Sequence, residues 1–189
     1  MQAVEHAASI GVEDYLAGEL KSEIRHEYIG SLVYAMAGTS KVHNRICLNL
    51  SFALSSHLRG KPWQVFMENL KLRLRIANED IFYYPDVVVT CDSRYTDEYY
   101  VNFPKVLIEV LSPDTERIDR REKFSSYTQI ESLEEYILVA QDQTEVTVFR
   151  RANHWRPEVA NQPEHQLRIA CLDFSLSLPA IYESAWPVN

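Results

Sequence analysis

Val106-Leu107-Ile108-Glu109-Val110-Leu111, at residues 106–111, is the segment with the clearest indication of the fold. A nearly continuous apolar run of this length predicts a central β-strand that is covered on both faces. A charged, amphipathic segment at 113–130 follows and predicts a helix, and a second apolar run begins at Glu135. A strand, a helix and a strand in this order predict a crossover between two parallel strands of one sheet.

The segments before this crossover predict antiparallel pairing. Gly30-Ser31 separates two short strand-like runs within residues 27–36, which is the pattern of a β-hairpin. The other predicted elements are helices at 12–23 and 40–58, a strand around Asp86, and strands at 71–76, 145–150 and 171–178. We therefore expect an α/β fold, with a mixed β-sheet flanked by helices on both faces.

Length and composition are typical of one globular domain, which we predict to span residues 1–189 with a core at about 12–182. The chain has 189 residues, of which 46% are hydrophobic and 24% charged. Its apolar runs are too short to cross a bilayer, and its start does not resemble a secretory signal, so we expect no membrane association and a cytoplasmic location. The three widely separated cysteines show no CxxC or Cys/His spacing, which argues against a structural zinc site, and the apolar surroundings of Cys47 and Cys171 favour both as small core residues.

Two carboxylates interrupt apolar, strand-like runs, and they are the main candidates for chemistry. Asp86 lies in Tyr84-Pro85-Asp86-Val87-Val88-Val89, and Glu109 lies in the stretch quoted first. Burying a carboxylate is costly unless it is paired or bound to a cation. On neighbouring strands the two would form an oxygen-rich site suited to Mg²⁺, or alternatively an ion-pair network that only stabilises the sheet.

Lys123 is the candidate cation beside these carboxylates. It lies four residues after Asp119, so the two share one face of the predicted helix. From there, Lys123 could reach the end of the Glu109 strand and stabilise an attacking hydroxide and developing negative charge. The alternative is an exposed ion pair with Asp119 on the helix surface.

These residues resemble the Uma-two family of the PD-(D/E)XK restriction-endonuclease-like superfamily. The matching positions are Pro85-Asp86, Glu109-Val110-Leu111-Ser112-Pro113, Asp119, Lys123 and Tyr127, within a resemblance from about Tyr15 to Tyr182. It implies an endonuclease-like fold and a Mg²⁺ or Mn²⁺ cofactor with metal ligands at Asp86, Glu109 and Val110. The superfamily places a lysine where this chain has Leu111, and the resemblance implies that Lys123 replaces it.

Four further residues are candidates for the site, because they match the family or lie near the residues named above in the sequence. Glu27 matches an acidic residue that contributes a further metal contact, although it could also be a solvated partner of a nearby cation. His43 could bind phosphate, act as a proton shuttle or cap a helix. Arg120 and Tyr127 are candidate substrate-binding residues on the predicted helix.

The leading functional hypothesis is a Mg²⁺- or Mn²⁺-dependent endonuclease that hydrolyses DNA. Its catalytic residues would be Asp86, Glu109, Lys123 and Glu27, and the family resemblance favours a homo-oligomer, with a dimer as the expected form. The alternative is a non-catalytic member that keeps the fold for binding or assembly. An RNA-binding module is disfavoured, because the net charge is −8 and no RNP or GXXG signature is present.

Overall fold

The computed structural model describes residues 9–92, 97–113 and 115–186, so both ends of the predicted domain lie outside the described residues. Its helices are α1 (Val12–Glu19), α2 (Lys41–His57), α3 (Glu116–Ile118), α4 (Phe124–Tyr127) and α5 (Leu178–Ile181). Its strands are β1 (His26–Ile29), β2 (Leu32–Ala35), β3 (Gln64–Met67), β4 (Lys71–Ile76), β5 (Glu79–Tyr83), β6 (Val87–Thr90), β7 (Tyr100–Val101), β8 (Val106–Leu111), β9 (Glu135–Ala140), β10 (Val146–Arg150), β11 (Pro157–Ala160), β12 (Gln166–Ile169) and β13 (Phe174–Ser177).

The central sheet has six strands in the order β11-β10-β9-β8-β6-β3. Its middle pair, β8 and β9, is parallel, with Glu109 opposite Leu138, which confirms the predicted crossover. β6 is antiparallel to the other side of β8, with Val87 opposite Ile108. Asp86 directly precedes β6, so this pairing brings it beside the end of β8.

Both faces of the central sheet are covered, as predicted. Ile108 and Val110 of β8 pack on the face that α2 and α5 cover, together with the small sheet formed by β12 and β13. Leu107 and Leu111 pack on the opposite face, against Tyr127 of α4 and the second sheet. Side chains alternate along a strand, so Glu109 shares this second face and is directed toward α4.

The second sheet has five strands in the order β2-β1-β5-β4-β7, and the sequence analysis did not predict it as a separate layer. Its first two strands form the predicted antiparallel hairpin. Gly30 and Ser31 have φ angles of 56° and 68°, as a type I′ turn requires at both central positions. This hairpin places Glu27 over the face of the central sheet that carries Glu109.

The predicted helix at 113–130 is the element that differs most from the structure. It is divided into α3, a π-helical turn over Asp119–Lys123, and α4. A π turn holds one more residue than an α turn and occurs often at functional sites. Here it starts and ends on the two buried charged residues of the segment, Asp119 and Lys123.

The boundaries of the other elements differ less from the predicted ones. The first helix stops at Glu19, and Leu20, which the predicted apolar face included, is 59% exposed. The last strand is limited to Phe174–Ser177 because a 3₁₀ turn occupies Ala170–Leu172. No helix within the described residues is both long and apolar enough to span a bilayer.

Candidate active site

A cleft of about 350 Å³ opens where the end of β8 meets the hairpin, the start of α2 and the π-helical turn. Four of the predicted catalytic or metal-binding side chains line it from four different elements or their ends. These residues are Glu27, Asp86, Glu109 and Lys123. The fold therefore brings together in one cleft the residues that the sequence analysis assigned to a single site.

Glu109 lies at the floor of the cleft and is only 2% exposed. Its Oε1 atom accepts two hydrogen bonds, from Lys123 Nζ at 3.1 Å and from the Tyr127 hydroxyl at 2.9 Å. Both partners come from the helical segment that follows β8, so the crossover itself orients this carboxylate. Burial raises the pKa of Glu109 above its ordinary value, although the Lys123 charge opposes that change.

Lys123 is the centre of a buried ion-pair network. Its Nζ atom lies 3.1 Å from Glu109 Oε1, 3.2 Å from Asp119 Oδ1 and 3.4 Å from Glu27 Oε1. Burial disfavours the charged ammonium, but these three carboxylates outweigh it and hold the pKa of Lys123 well above its ordinary value. The lysine therefore remains a fixed positive charge, and an exposed surface pair with Asp119 is excluded.

Asp86 is held at the side of the cleft by two contacts. Its Oδ2 atom accepts a hydrogen bond from the Val110 backbone N–H at 2.7 Å. The same oxygen lies 3.2 Å from Nε2 of His43, near the first turn of α2. Since Val87 is opposite Ile108 in the antiparallel β6–β8 pair, Asp86 lies opposite Glu109, and these two contacts fix its carboxylate there.

His43 is placed by its own helix. Ser40 caps α2, and its hydroxyl oxygen accepts a hydrogen bond from the His43 backbone N–H at 3.1 Å. Burial lowers the pKa of the imidazole, but the contact with Asp86, the nearby charge of Glu68 and the Val110 backbone together outweigh burial and raise the pKa above its ordinary value. His43 is therefore a partner of the Asp86 carboxylate as well as a residue lining the cleft.

The donor atoms present fit a hard divalent cation. No described residue donates a hydrogen bond to Oδ1 of Asp86 or to Oε2 of Glu109, so each carboxylate keeps one uncommitted oxygen. The third predicted ligand, Val110, also lines the cleft and can contribute only its backbone carbonyl. Two carboxylates and a carbonyl match the oxygen-rich ligand set that Mg²⁺ and Mn²⁺ prefer.

Two predicted substrate-binding residues lie outside the described lining of this cleft. Tyr127 is fully buried, and its hydroxyl donates a hydrogen bond to Glu109. Arg120 donates to Glu116 at 2.7 Å and lies 3.9 Å from Glu145, so its guanidinium is engaged on the protein surface. Both placements differ from the predicted substrate contacts.

Asp119 is the residue whose importance the sequence analysis underestimated. It is only 2% exposed, and its Oδ1 atom lies near Lys123 without forming a directed hydrogen bond. Burial raises the pKa of this carboxyl group, although the Lys123 charge opposes that change. The spacing of four residues to Lys123 was the available signal, but it could not distinguish a buried pair from an exposed one.

We expect Tyr127→Phe to lower the free energy of unfolding by about 1.5–3 kcal/mol, because it removes a buried hydrogen bond to a charged group. The change should also raise the pKa of Glu109 further, since the Tyr127 hydroxyl favours the ionised carboxylate. Urea denaturation measures the stability change. Tyr83→Phe is the matched control, because Tyr83 is also buried but its hydroxyl lies 3.5 Å from its partner, Ser126 Oγ. Equal losses of unfolding free energy in the two variants would contradict the stabilising role assigned to the hydrogen bond between Tyr127 and Glu109.

Comparisons with known proteins agree with this fold. Residues 12–180 match the Uma2 family, which is described as "Putative restriction endonuclease". Two uncharacterized Synechocystis proteins are similar in sequence. The protein slr1290 is 33% identical over 172 residues, covering 90% of each chain, and sll1609 is 31% identical over 144 residues, covering 75% of this chain and 80% of the relative.

A solved structure from Anabaena variabilis, described as "a putative nuclease belonging to DUF820", superimposes with a TM-score of 0.73. It is 17% identical and covers 94% of this chain and 99% of its own, which supports a nuclease-like mixed α/β fold. The chain belongs to the Uma2 family, as the sequence resemblance indicated.

Proposed function

We propose that this protein is a metal-dependent nuclease that hydrolyses phosphodiester bonds of DNA. The observation that carries the proposal is the convergence of Asp86, Glu109 and Lys123 on one cleft from separate elements of the fold. The buried Glu109 carboxylate is held in place by Lys123 through one oxygen, and its other oxygen is available to bind a metal ion. The family description supports the same class of reaction.

Asp86, Glu109 and the Val110 carbonyl would hold a Mg²⁺ or Mn²⁺ ion. Such an ion, when bound, polarises a phosphoryl oxygen and lowers the pKa of a coordinated water. Glu27 lies on the other side of Lys123 and lines the same cleft, so it is available for an additional contact.

Lys123 would provide the fixed positive charge of the site. Its ammonium is ordered by three carboxylates, so little reorganisation is required when negative charge develops on a phosphate or an attacking hydroxide. The superfamily lysine is absent because Leu111 occupies its position, and Lys123 reaches Glu109 from the next helical segment instead. We infer that Lys123 takes over the function of that missing lysine.

His43 and Tyr127 would position the two metal-binding carboxylates. His43 contacts Asp86 from α2, and Tyr127 contacts Glu109 from α4. Each contact uses one oxygen of its carboxylate and leaves the other uncommitted. The protein therefore holds both carboxylates in place before any cation binds.

The test is a cleavage assay with purified protein, supercoiled plasmid and single-stranded DNA, using Mn²⁺, Mg²⁺ or a chelator. We expect nicking with either metal and none with the chelator. Titration calorimetry in the absence of DNA should show binding of the same cations by the wild-type protein and weaker binding by Glu109→Gln. If the protein neither cleaved DNA nor bound a cation at any metal concentration, the alternative would be favoured, namely a nuclease-like protein that acts in binding or assembly.

A further inference from the structure

A second group of metal-binding side chains adjoins the Asp86 side of the cleft. The ligand atoms of His43, Cys47 and Glu68 all lie within 4.8 Å of one another. His43 and Cys47 are four residues apart and therefore share one face of α2. Glu68 directly follows β3, and its backbone N–H donates to the Asp86 carbonyl oxygen at 3.0 Å, which fixes its position beside them.

The distance between the two α2 ligands already suits a tetrahedral metal. Nδ1 of His43 lies 3.5 Å from Sγ of Cys47. Zinc bonds of about 2.0–2.1 Å to nitrogen and about 2.3 Å to sulfur, at a tetrahedral angle, separate these two atoms by about 3.6 Å. Only the Glu68 carboxylate has to approach more closely, and this side chain is half-buried, next to a turn.

The contact between His43 Nε2 and Asp86 leaves the other ring nitrogen, Nδ1, available to bind a metal ion. Nε2 faces Oδ2 of Asp86 at 3.2 Å, and an ionised carboxylate can only accept, so the ring proton belongs on Nε2. With Nε2 facing Asp86, the other ring nitrogen, Nδ1, faces Sγ of Cys47. A carboxylate that accepts from one ring nitrogen while the other binds metal is the usual arrangement around metal-ligating histidines.

We infer that His43, Cys47 and Glu68 form a Zn²⁺ site that is distinct from the proposed Mg²⁺ or Mn²⁺ site. Thiolate and imidazole ligands select Zn²⁺ over Mg²⁺, whereas the Asp86 and Glu109 oxygens have the opposite preference. On binding, the Cys47 thiol loses its proton to solvent and its sulfur bonds the cation, and a water can complete four-coordination. The sequence analysis found no Cys/His spacing typical of zinc and therefore did not predict this site, although His43 and Cys47 are four residues apart on α2.

The proposed zinc site is linked to the nuclease site through Asp86. That residue accepts from the His43 ring with its side chain and from the Glu68 N–H with its carbonyl. Zn²⁺ on Nδ1 would fix the orientation of the His43 ring and thereby of the Asp86 carboxylate. The inference does not require cleavage activity, because binding can be measured without nucleic acid.

The test is Zn²⁺ titration calorimetry in excess Mg²⁺, together with Co²⁺ substitution monitored by absorption spectroscopy. We expect one Zn²⁺ per chain and, with Co²⁺, a thiolate-to-metal charge-transfer band. Cys47→Ser should abolish the band, and both Cys47→Ser and Glu68→Gln should weaken Zn²⁺ binding by more than the roughly 10- to 100-fold that loss of an outer hydrogen-bond partner costs. Cys171→Ser is the matched control and should retain both the band and the affinity.

Two results would overturn the zinc site. One is the absence of Zn²⁺ binding by the wild-type protein, and the other is unchanged Zn²⁺ binding by Glu68→Gln. Glu68→Gln decides the question even if the buried Cys47→Ser variant does not fold, because Glu68 is only half-buried. A nuclease that fails to bind Zn²⁺ would leave the proposed function intact, and a Zn²⁺-binding protein without cleavage would leave the zinc site intact.

Discussion

Asp86→Asn is expected to reduce Mn²⁺-dependent DNA cleavage by roughly 100- to 1000-fold or more, which is the range seen when one electrostatic contact to a transition state is lost. The amide oxygen can still accept the Val110 N–H, which Asp86 now binds at 2.7 Å. The fold should therefore remain, while the negative charge and one metal-binding oxygen are lost. Cleavage rates, metal titration and the thermal midpoint of unfolding together separate a loss of activity from a loss of stability.

Asp80→Asn is the matched control for this variant. The side chains of Asp80 and Asp86 are both 17% exposed, and each has a basic partner. Asp80 pairs with Arg73 at 2.9 Å in a different region and is not among the described lining residues of the cleft. We expect Asp80→Asn to cleave DNA at close to the wild-type rate. If both variants lost activity equally, or if neither did, the catalytic role proposed for Asp86 would be wrong.

Lys123→Met is expected to lower the free energy of unfolding by about 3–5 kcal/mol at neutral pH, because it leaves buried carboxylates without their cation. Methionine is similar in length to lysine but cannot compensate the charges of Glu27, Glu109 and Asp119. The same change should abolish cleavage if Lys123 acts as proposed. Urea denaturation at pH 7.5 and pH 5 measures the stability change and its pH dependence.

The pH dependence follows from the raised pKa values of Glu109 and Asp119, which burial causes. A carboxyl group whose folded pKa is raised contributes stability below its unfolded pKa of about 4 and loses that contribution as pH rises through the folded pKa. Lys123 offsets this loss in the wild-type protein. We therefore expect the Lys123→Met penalty to be largest at pH 7.5 and smaller at pH 5, where protonation removes part of the repulsion.

Lys105→Met provides the control for a surface ion pair. Lys105 lies 3.3 Å from Glu134, and the two side chains are 31% and 39% exposed. Exposed pairs of this kind contribute about 0–1 kcal/mol, so this variant should retain nearly wild-type stability. A penalty for Lys123→Met that is as small as the control's, or that does not change with pH, would contradict the buried network described above.

Three elements could be predicted from the amino-acid pattern alone: the parallel β8–β9 pair, the β1–β2 hairpin and the long helix α2. These elements have strong local signals, such as continuous apolar runs, Gly30-Ser31 at a turn that needs two positive φ angles, and Ser40 as a helix cap. The positions of Asp86 and Glu109 were also predictable as neighbours. An acidic residue inside an apolar run is unusual enough to be noticed without a structure.

Other contacts between site residues from distant segments depend on tertiary packing and could not be predicted from the sequence. The two-residue strand β7 and the strand β5, which begins with two acidic residues, have weak local patterns, so the second sheet was not predicted. That sheet carries Glu27 to Lys123, and the π-helical turn buries Asp119 beside them. Cys47 and Glu68 likewise become neighbours only because α2 packs beside β3. Local periodicity reports the exposed and buried faces of single elements, whereas contacts between distant elements depend on how those faces pack together.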